Sequence, residues 1–257
     1  MISRYFMRRG LGAGKAFRNR GNEVSRMEGF SDTVFGLAVT LLIIQQGQQN
    51  YFADLVNAIK ALPAFFVCFV SLTSLWYSHY RFCRRYGLED HWTISLNLLL
   101  LFVVLFYVYP LKYLFTLAMD QGALPANSIQ KGQLPMLFAI YGIGFAAVFT
   151  ILTIFYAHAY RMRKALDLNE LETYDTVTTL LGNVVLVLTG LISIFIALVL
   201  KQPTLSGLWY LSILITRTAL GIIRGRGRQE LAARLEHAAG VEKSHNPHEA
   251  QSARTQA

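Results

Sequence analysis

Charge is scarce in this sequence: 15% of its 257 residues are Asp, Glu, Lys or Arg, while 54% are hydrophobic. A soluble domain of this size usually carries about a quarter charged residues, so a water-soluble fold is excluded. Cysteine is scarcer still. The two present, Cys68 and Cys83, lie in or at the end of one apolar run. They offer neither a disulfide framework nor metal-ligand spacing and are expected to be free thiols. Acidic residues are almost missing from the first 25 positions, which hold only Glu23 among six Gly and Ala and several Arg. An Arg-rich, acid-poor start can mimic an organellar transit peptide. It lacks the apolar core and cleavage site of a secretory signal, and a flexible basic cytosolic tail is the preferred reading of 1–25.

What is present in quantity is long apolar runs. Residues 92–111, 134–158 and 176–200 each reach the ~20 residues that cross ~30 Å of hydrocarbon. Hydropathy predicts six spans, at about 27–45, 58–78, 92–111, 134–158, 176–200 and 205–223. The fold class is therefore all-α, a polytopic membrane protein of six transmembrane helices with no extracellular domain. Residues 26–223 form the membrane domain and 224–257 a cytosolic, partly disordered C-terminal tail. Pro110 is expected to end the third span, and RGRGRQELAARLEHAAG, after Ile223, to form a basic hinge and then a short amphipathic helix.

The formal net charge of +9 could suggest a nucleic-acid partner, but its distribution argues against one. Nineteen of the 24 Lys and Arg fall in the N-terminal tail, the loops after the second and fourth spans, and the C-terminal segment. The opposite side carries only Lys60, Lys112, Lys131 and Lys201. The positive-inside rule then puts both termini in the cytosol, and an even number of spans, which keeps the termini on one side, agrees. The expected location is the cell (inner) membrane, with the lipid bilayer as partner.

The first span, RMEGFSDTVFGLAVTLLII, carries Arg26, Glu28, Ser31 and Asp32 at or just inside its start. On a helical wheel Leu37, Leu41 and Ile44 share one direction with Phe30 and Thr33, and Thr40 flanks them. Asp32 lies away from that stripe, near Phe35 and Val39. An unpaired charge in lipid costs several kcal/mol, so Asp32 needs a partner. The end of the second span, SLWYSHYRFCRR, offers Trp76, His79 and Arg81 at matching depth. Arg81 could neutralise Asp32, with His79 donating a hydrogen bond and Ser31 completing the network. Ser31 and Asp32 could equally be a helix cap, and Trp76 with its neighbours could be interfacial anchors.

Arg26, three residues, then Phe30-Ser31-Asp32 and TVFGLAVTLL resembles the signature of the transmembrane protein 175 family of potassium channels. WYSHYR is similar to that family's W-x-x-H-H-R, with Tyr80 in place of the second histidine, and SLNLLLLF resembles its third span. The resemblance implies a prokaryotic single six-helix repeat that assembles as a homotetramer. The first helix of each subunit would line a central pore. Leu37, Leu41 and Ile44 would form its apolar constriction and gate, and Thr40 would contribute to selectivity. Arg26, Phe30, Ser31, Asp32, Trp76, His79 and Arg81 would form a structural polar network away from the ion. The implied function is passive K⁺ flux, with K⁺ as permeant ion, no cofactor, no metal site and no enzymatic activity. A leucine ring can exclude water and ions, and no TVGYG-like filter segment occurs. A secondary transporter or a non-conducting membrane scaffold are the alternatives, the former disfavoured because mid-span charge is almost absent.

Overall fold

The computed structural model describes residues 17–21, 23–44, 56, 59–60, 62–118 and 133–245. The polar stretch 45–50, the loop 121–132 and the last residues from 246 lie outside the described residues. Among the described residues every regular element is helical: α1 Arg26–Ile44, α2 Leu62–Tyr86, α3 His91–Ala118, α4 Leu134–Arg161, α5 Glu170–Leu198, α6 Pro203–Trp209 and α7 Ser212–His245.

Five segments are long and apolar enough to cross a membrane: α2, α3, α4, α5, and α6 taken with the first two-thirds of α7. α1 has 19 residues and carries Arg26, Glu28 and Asp32 in its first two turns. Large apolar side chains lie on the outside, with Phe102, Phe106, Leu214 and Ile215 each about 70% exposed (68, 72, 69 and 73%). Such outward-facing apolar surface needs lipid, not water. The protein is an all-α, multi-pass membrane protein.

α4 and α5 make the most extensive pairing, and α1 lies against α2 and α3. The core gathers Phe35, Ala38 and Leu42 of α1, Leu72 and Phe82 of α2, Leu100 and Val104 of α3, and Leu152 and Phe155 of α4. Cys68 and Cys83 form no disulfide, and both are buried.

Several boundaries differ from the hydropathy reading, α5 for one beginning at Glu170 rather than near 176. α2 continues past 78 to Tyr86, because polar residues end an apolar run without ending a helix. Its stop is Gly87, at φ 57°, whose N–H donates to the Cys83 carbonyl at 2.9 Å, a left-handed cap that favours glycine. α3 does not end at Pro110 but carries it inside. A proline removes one helical hydrogen bond, and within a membrane bundle neighbouring groups compensate. The sixth span is broken at Tyr210–Leu211, between α6 and α7. The buried Ser193 and Ser206 hydroxyls, 2.8 Å apart, fasten α6 to α5. α7 then runs unbroken through Gly225 and Gly227, where a hinge was expected. Each glycine costs a helix only about 1 kcal/mol, and at Gly227 a side chain would collide with the Tyr174 hydroxyl.

Residues 1–25 were expected to be a flexible tail, but the described part, 17–21, is held in place. Arg20 and Gly21 donate their N–H groups to the Arg84 carbonyl at 3.1 and 3.2 Å. Phe17 packs edge-on against Tyr86. Arg18 donates its backbone N–H to Glu172 at 2.8 Å, and the Arg20 guanidinium meets the same carboxylate at 2.7 Å. Glu172 is itself half of a capping box with Asn169 that starts α5.

Candidate permeation helix and its polar anchor

α1 divides into two faces. Glu28, Ser31, Val34, Phe35, Ala38 and Leu42 are buried, at the three- and four-residue spacing of one helix side. Arg26, Phe30, Thr33, Leu37 and Thr40 are exposed on the opposite side, and Leu41 is half-buried. Phe30 and Leu37 are 53 and 52% exposed. The Ile44 side chain lies outside the described residues. Thr40 donates its hydroxyl to the Leu37 carbonyl at 2.7 Å, one turn back, which turns the oxygen lone pairs, not the O–H, toward the open side.

The cap of α1 is Ser25, whose hydroxyl accepts from the Glu28 N–H at 3.1 Å. Ser31 and Asp32 are therefore free for other partners. Ser31 is fully buried and donates to the Met27 carbonyl at 2.8 Å. It accepts from the Asn97 amide at 2.9 Å. The Asn97 oxygen lies 2.8 Å from His79 Nε2. A His79 tautomer protonated at Nε2 satisfies every member of this chain: His79 to Asn97, Asn97 to Ser31, Ser31 to the backbone. His79 is packed between Phe35 and Phe155.

Asp32 bonds instead to Trp76, whose indole N–H donates at 2.7 Å. It lines a groove of about 330 Å³ between α1 and α2, with Phe35, Gly36, Val39, Leu72, Thr73 and Trp76. The expected pairing with Arg81 is not made. Arg81 lies over the Tyr77 ring, 5.8 Å from its centre. The reason is angular: at 100° per residue Arg81 points about 140° away from Trp76, whereas Leu72, His79 and Cys83 share the Trp76 side. Tyr80, the departure from the family pattern, stacks on Trp76 at 5.7 Å and takes no part in the His79 chain. Arg26 is exposed at the helix start.

Sequence reasoning missed two contributors. Asn97 is the hub of the buried chain, and its signal was a lone amide in an otherwise apolar third span. Glu28, 4% exposed, faces Arg84 Nε at 3.8 Å, so a second charge on α1 is also met by α2.

A bundle of spanning helices, with one helix bonded through buried polar side chains on one face and exposed on the other, defines an α-helical membrane protein. A sequence model described as endosomal/lysosomal potassium channel TMEM175 matches residues 26–107. A potassium channel of Marivirga tractuosa is 35% identical over 215 residues, covering 78% of this chain and 87% of that one. A potassium channel of Chamaesiphon minutus is 30% identical over 119 residues, 43% of this chain and 59% of its own. The crystal structure of a variant of the potassium channel MtTMEM175, in complex with a nanobody fusion, superposes with a TM-score of 0.73 at 33% identity, covering 84% of this chain and 99% of that one. A lysosomal potassium-selective channel TMEM175 homolog from Chamaesiphon minutus shares the fold, with a TM-score of 0.51 at 22% identity, over 76% of this chain and 96% of that one. The chain belongs to the TMEM175 family.

Proposed function

We propose that this protein is a potassium-permeable cation channel, a homotetramer in which the α1 helices of four subunits line a central pore. One observation carries the reading: α1 buries Ser31, Phe35, Ala38 and Leu42 within its own subunit and leaves the Phe30–Thr33–Leu37–Thr40 stripe open. A helix fixed by its polar side and open on an apolar side is suited to meet its own copies around an axis. The potassium-channel relatives support K⁺ as the permeant ion. In the closed state Leu37 is the constriction, with Leu41 and Ile44 following along the pore, and passage requires the ring to widen and wet. Thr40 contributes to selectivity through oxygens facing the path. The network around Ser31, Asp32, Trp76, His79 and Asn97 positions α1 and does not touch the ion. The basic end of the bundle faces the cytosol of a cell whose inner membrane holds the channel.

The test is K⁺-driven flux in liposomes, comparing wild type with Leu37→Ala and repeating with Na⁺. The expected result is faster K⁺ flux in the variant at equal reconstituted protein. Equal flux would remove Leu37 as the gate. No flux from either protein, with oligomers intact in the same liposomes, would replace the channel by a transporter or a scaffold.

A further inference from the structure

Residues 17–21 cross the basic end of the bundle as a strap fastened on both sides. On the α5 side, the Arg18 backbone N–H donates to the buried Glu172 carboxylate at 2.8 Å. Arg20 reaches the same carboxylate at 2.7 Å and the Leu166 and Asp167 carbonyls at 2.8 and 3.1 Å. On the α2 side, the Arg84 carbonyl accepts from the Arg20 and Gly21 N–H groups, and Arg84 Nη1 donates back to the Gly21 carbonyl at 2.8 Å. The fit leaves no room for side chains at this contact. A Cβ on Gly21 would stand 2.7 Å from the Cys83 carbonyl oxygen, and one on Gly87 would stand 3.1 Å from Gly21 N. A glycine on each partner permits so close a backbone approach.

Arg84 carries the contact further. Its Nε faces the Glu28 carboxylate, buried in the first turn of α1, at 3.8 Å. The strap itself runs on through residues 22–25 into α1. Strap and α1 are thus joined twice, by the chain and by one guanidinium. The two fastenings belong to different parts of the bundle. α1 packs on α2 and α3, whereas α5 packs on α4, α6 and α7. The Tyr86 hydroxyl, 2.8 Å from Thr176, also joins α2 to α5, but the strap continues into the helix whose first two turns hold Ser31 and Asp32.

We propose that residues 17–21 are a conformational latch. Docked on Glu172 and Arg84, they tie the root of α1 to the start of α5; lifted, they free that root to move. The coupling itself stands whether or not the chain conducts ions.

The experiment is hydrogen–deuterium exchange of the full chain in detergent, read by mass spectrometry, with two variants that lift the strap in different ways. Glu172→Gln removes the charge that Arg18 and Arg20 meet, while glutamine still serves the capping box that starts α5. Gly21→Ala removes no charge and drives a methyl group into the Cys83 carbonyl. In both, strap amides should exchange about tenfold faster. Amides 28–32 of α1, which touch neither Glu172 nor the new methyl, should exchange roughly fivefold faster, as expected of two coupled sites. Coupling is reciprocal, so Glu28→Gln should in turn speed exchange in the strap. Amides 203–209 of α6, at the far end of α5, should keep their wild-type rate. A faster strap with α1 unchanged would overturn the latch, and so would equal acceleration in α6, which would mean general loosening. A bearing on ion flux rests on the channel reading above. In liposomes where Leu37→Ala conducts, Gly21→Ala should raise K⁺ flux by about the same factor as it raises α1 exchange, because the population of moved α1 sets the open fraction. Unchanged flux there would overturn the latch as a regulator. No flux even from Leu37→Ala would strike the channel reading, and the exchange rates of α1 would then decide the latch.

Discussion

The side chains that hold α1 work as complete sets. His79, Asn97 and Ser31 form a chain in which each donor has an acceptor, buried where no water replaces a missing member. Asn97→Ala leaves His79 Nε2 without its acceptor and Ser31 without its amide donor, and should destabilise the fold by about 1–3 kcal/mol, read as a lower unfolding temperature in detergent; an unchanged temperature would count against the hub. Asp90 behaves differently because it lies at a helix start outside the spans. Its carboxylate accepts from the Trp92 and Thr93 N–H groups, from the Thr93 hydroxyl at 2.6 Å and from His158 at 3.1 Å. Partial burial works against its charge, but these bonds prevail and hold its carboxyl below the ordinary range. A depressed carboxyl lends stability above its unfolded value and loses it as pH falls through the folded value. Asp90→Asn should therefore lower thermal stability at neutral pH by about 0.5–1 kcal/mol. The gap from wild type should close below about pH 4, and a gap that persists in acid would refute the charge argument. At this scale Ser31, Asp32, Trp76 and His79 were legible as polar residues inside apolar runs. It misdirected Asp32 toward Arg81 because charge was weighed before the angle of the side chain on the helix.

Among the elements, α1 and the segment 17–21 depend on partners rather than on their own propensity. The segment lies across the ends of α2 and α5, with the Glu172 carboxylate meeting Arg18 and Arg20 together. Charge-assisted hydrogen bonds contribute about 1.5–3 kcal/mol. Glu172→Gln should then expose the segment, and trypsin should cut after Arg18 and Arg20 about tenfold faster or more. An unchanged cutting rate would mean that the Phe17 and Arg84 contacts suffice. Helix positions were largely readable from hydropathy, since lipid demands long apolar runs. Helix ends were not, because the signals that set them are polar and local: Gly87 beyond α2, Ser25 before α1, Asn169 before α5. The break between α6 and α7 was hidden within a continuous apolar run, and only the pairing of Ser193 with Ser206 across two helices explains it.

For the whole molecule, the proposed shared pore sets the expectation of four subunits. Mild-detergent light scattering should give a protein mass of four chains, and a monomer under the same conditions would remove the shared pore. The bundle was visible in the sequence as alternating apolar runs and basic loops, whereas the clasp of Asp175 by Arg224 and Arg228 across two helices needed the fold. One feature of α1 also bears on how an assembly of this kind could move. Among the described residues its side-chain hydrogen bonds to other helices come from Ser31 and Asp32, and its ion pair from Glu28, all in the first two turns. Beyond them Phe35, Ala38 and Leu42 make apolar contacts, which slide more readily than hydrogen bonds. The helix is thus a cantilever, rooted at one end. At 1.5 Å per residue Leu37 lies about 8 Å from the Asp32 root and Ile44 about 18 Å. A rocking of the beam moves Ile44 more than twice as far as Leu37, and the bonds at the root stay whole throughout the swing.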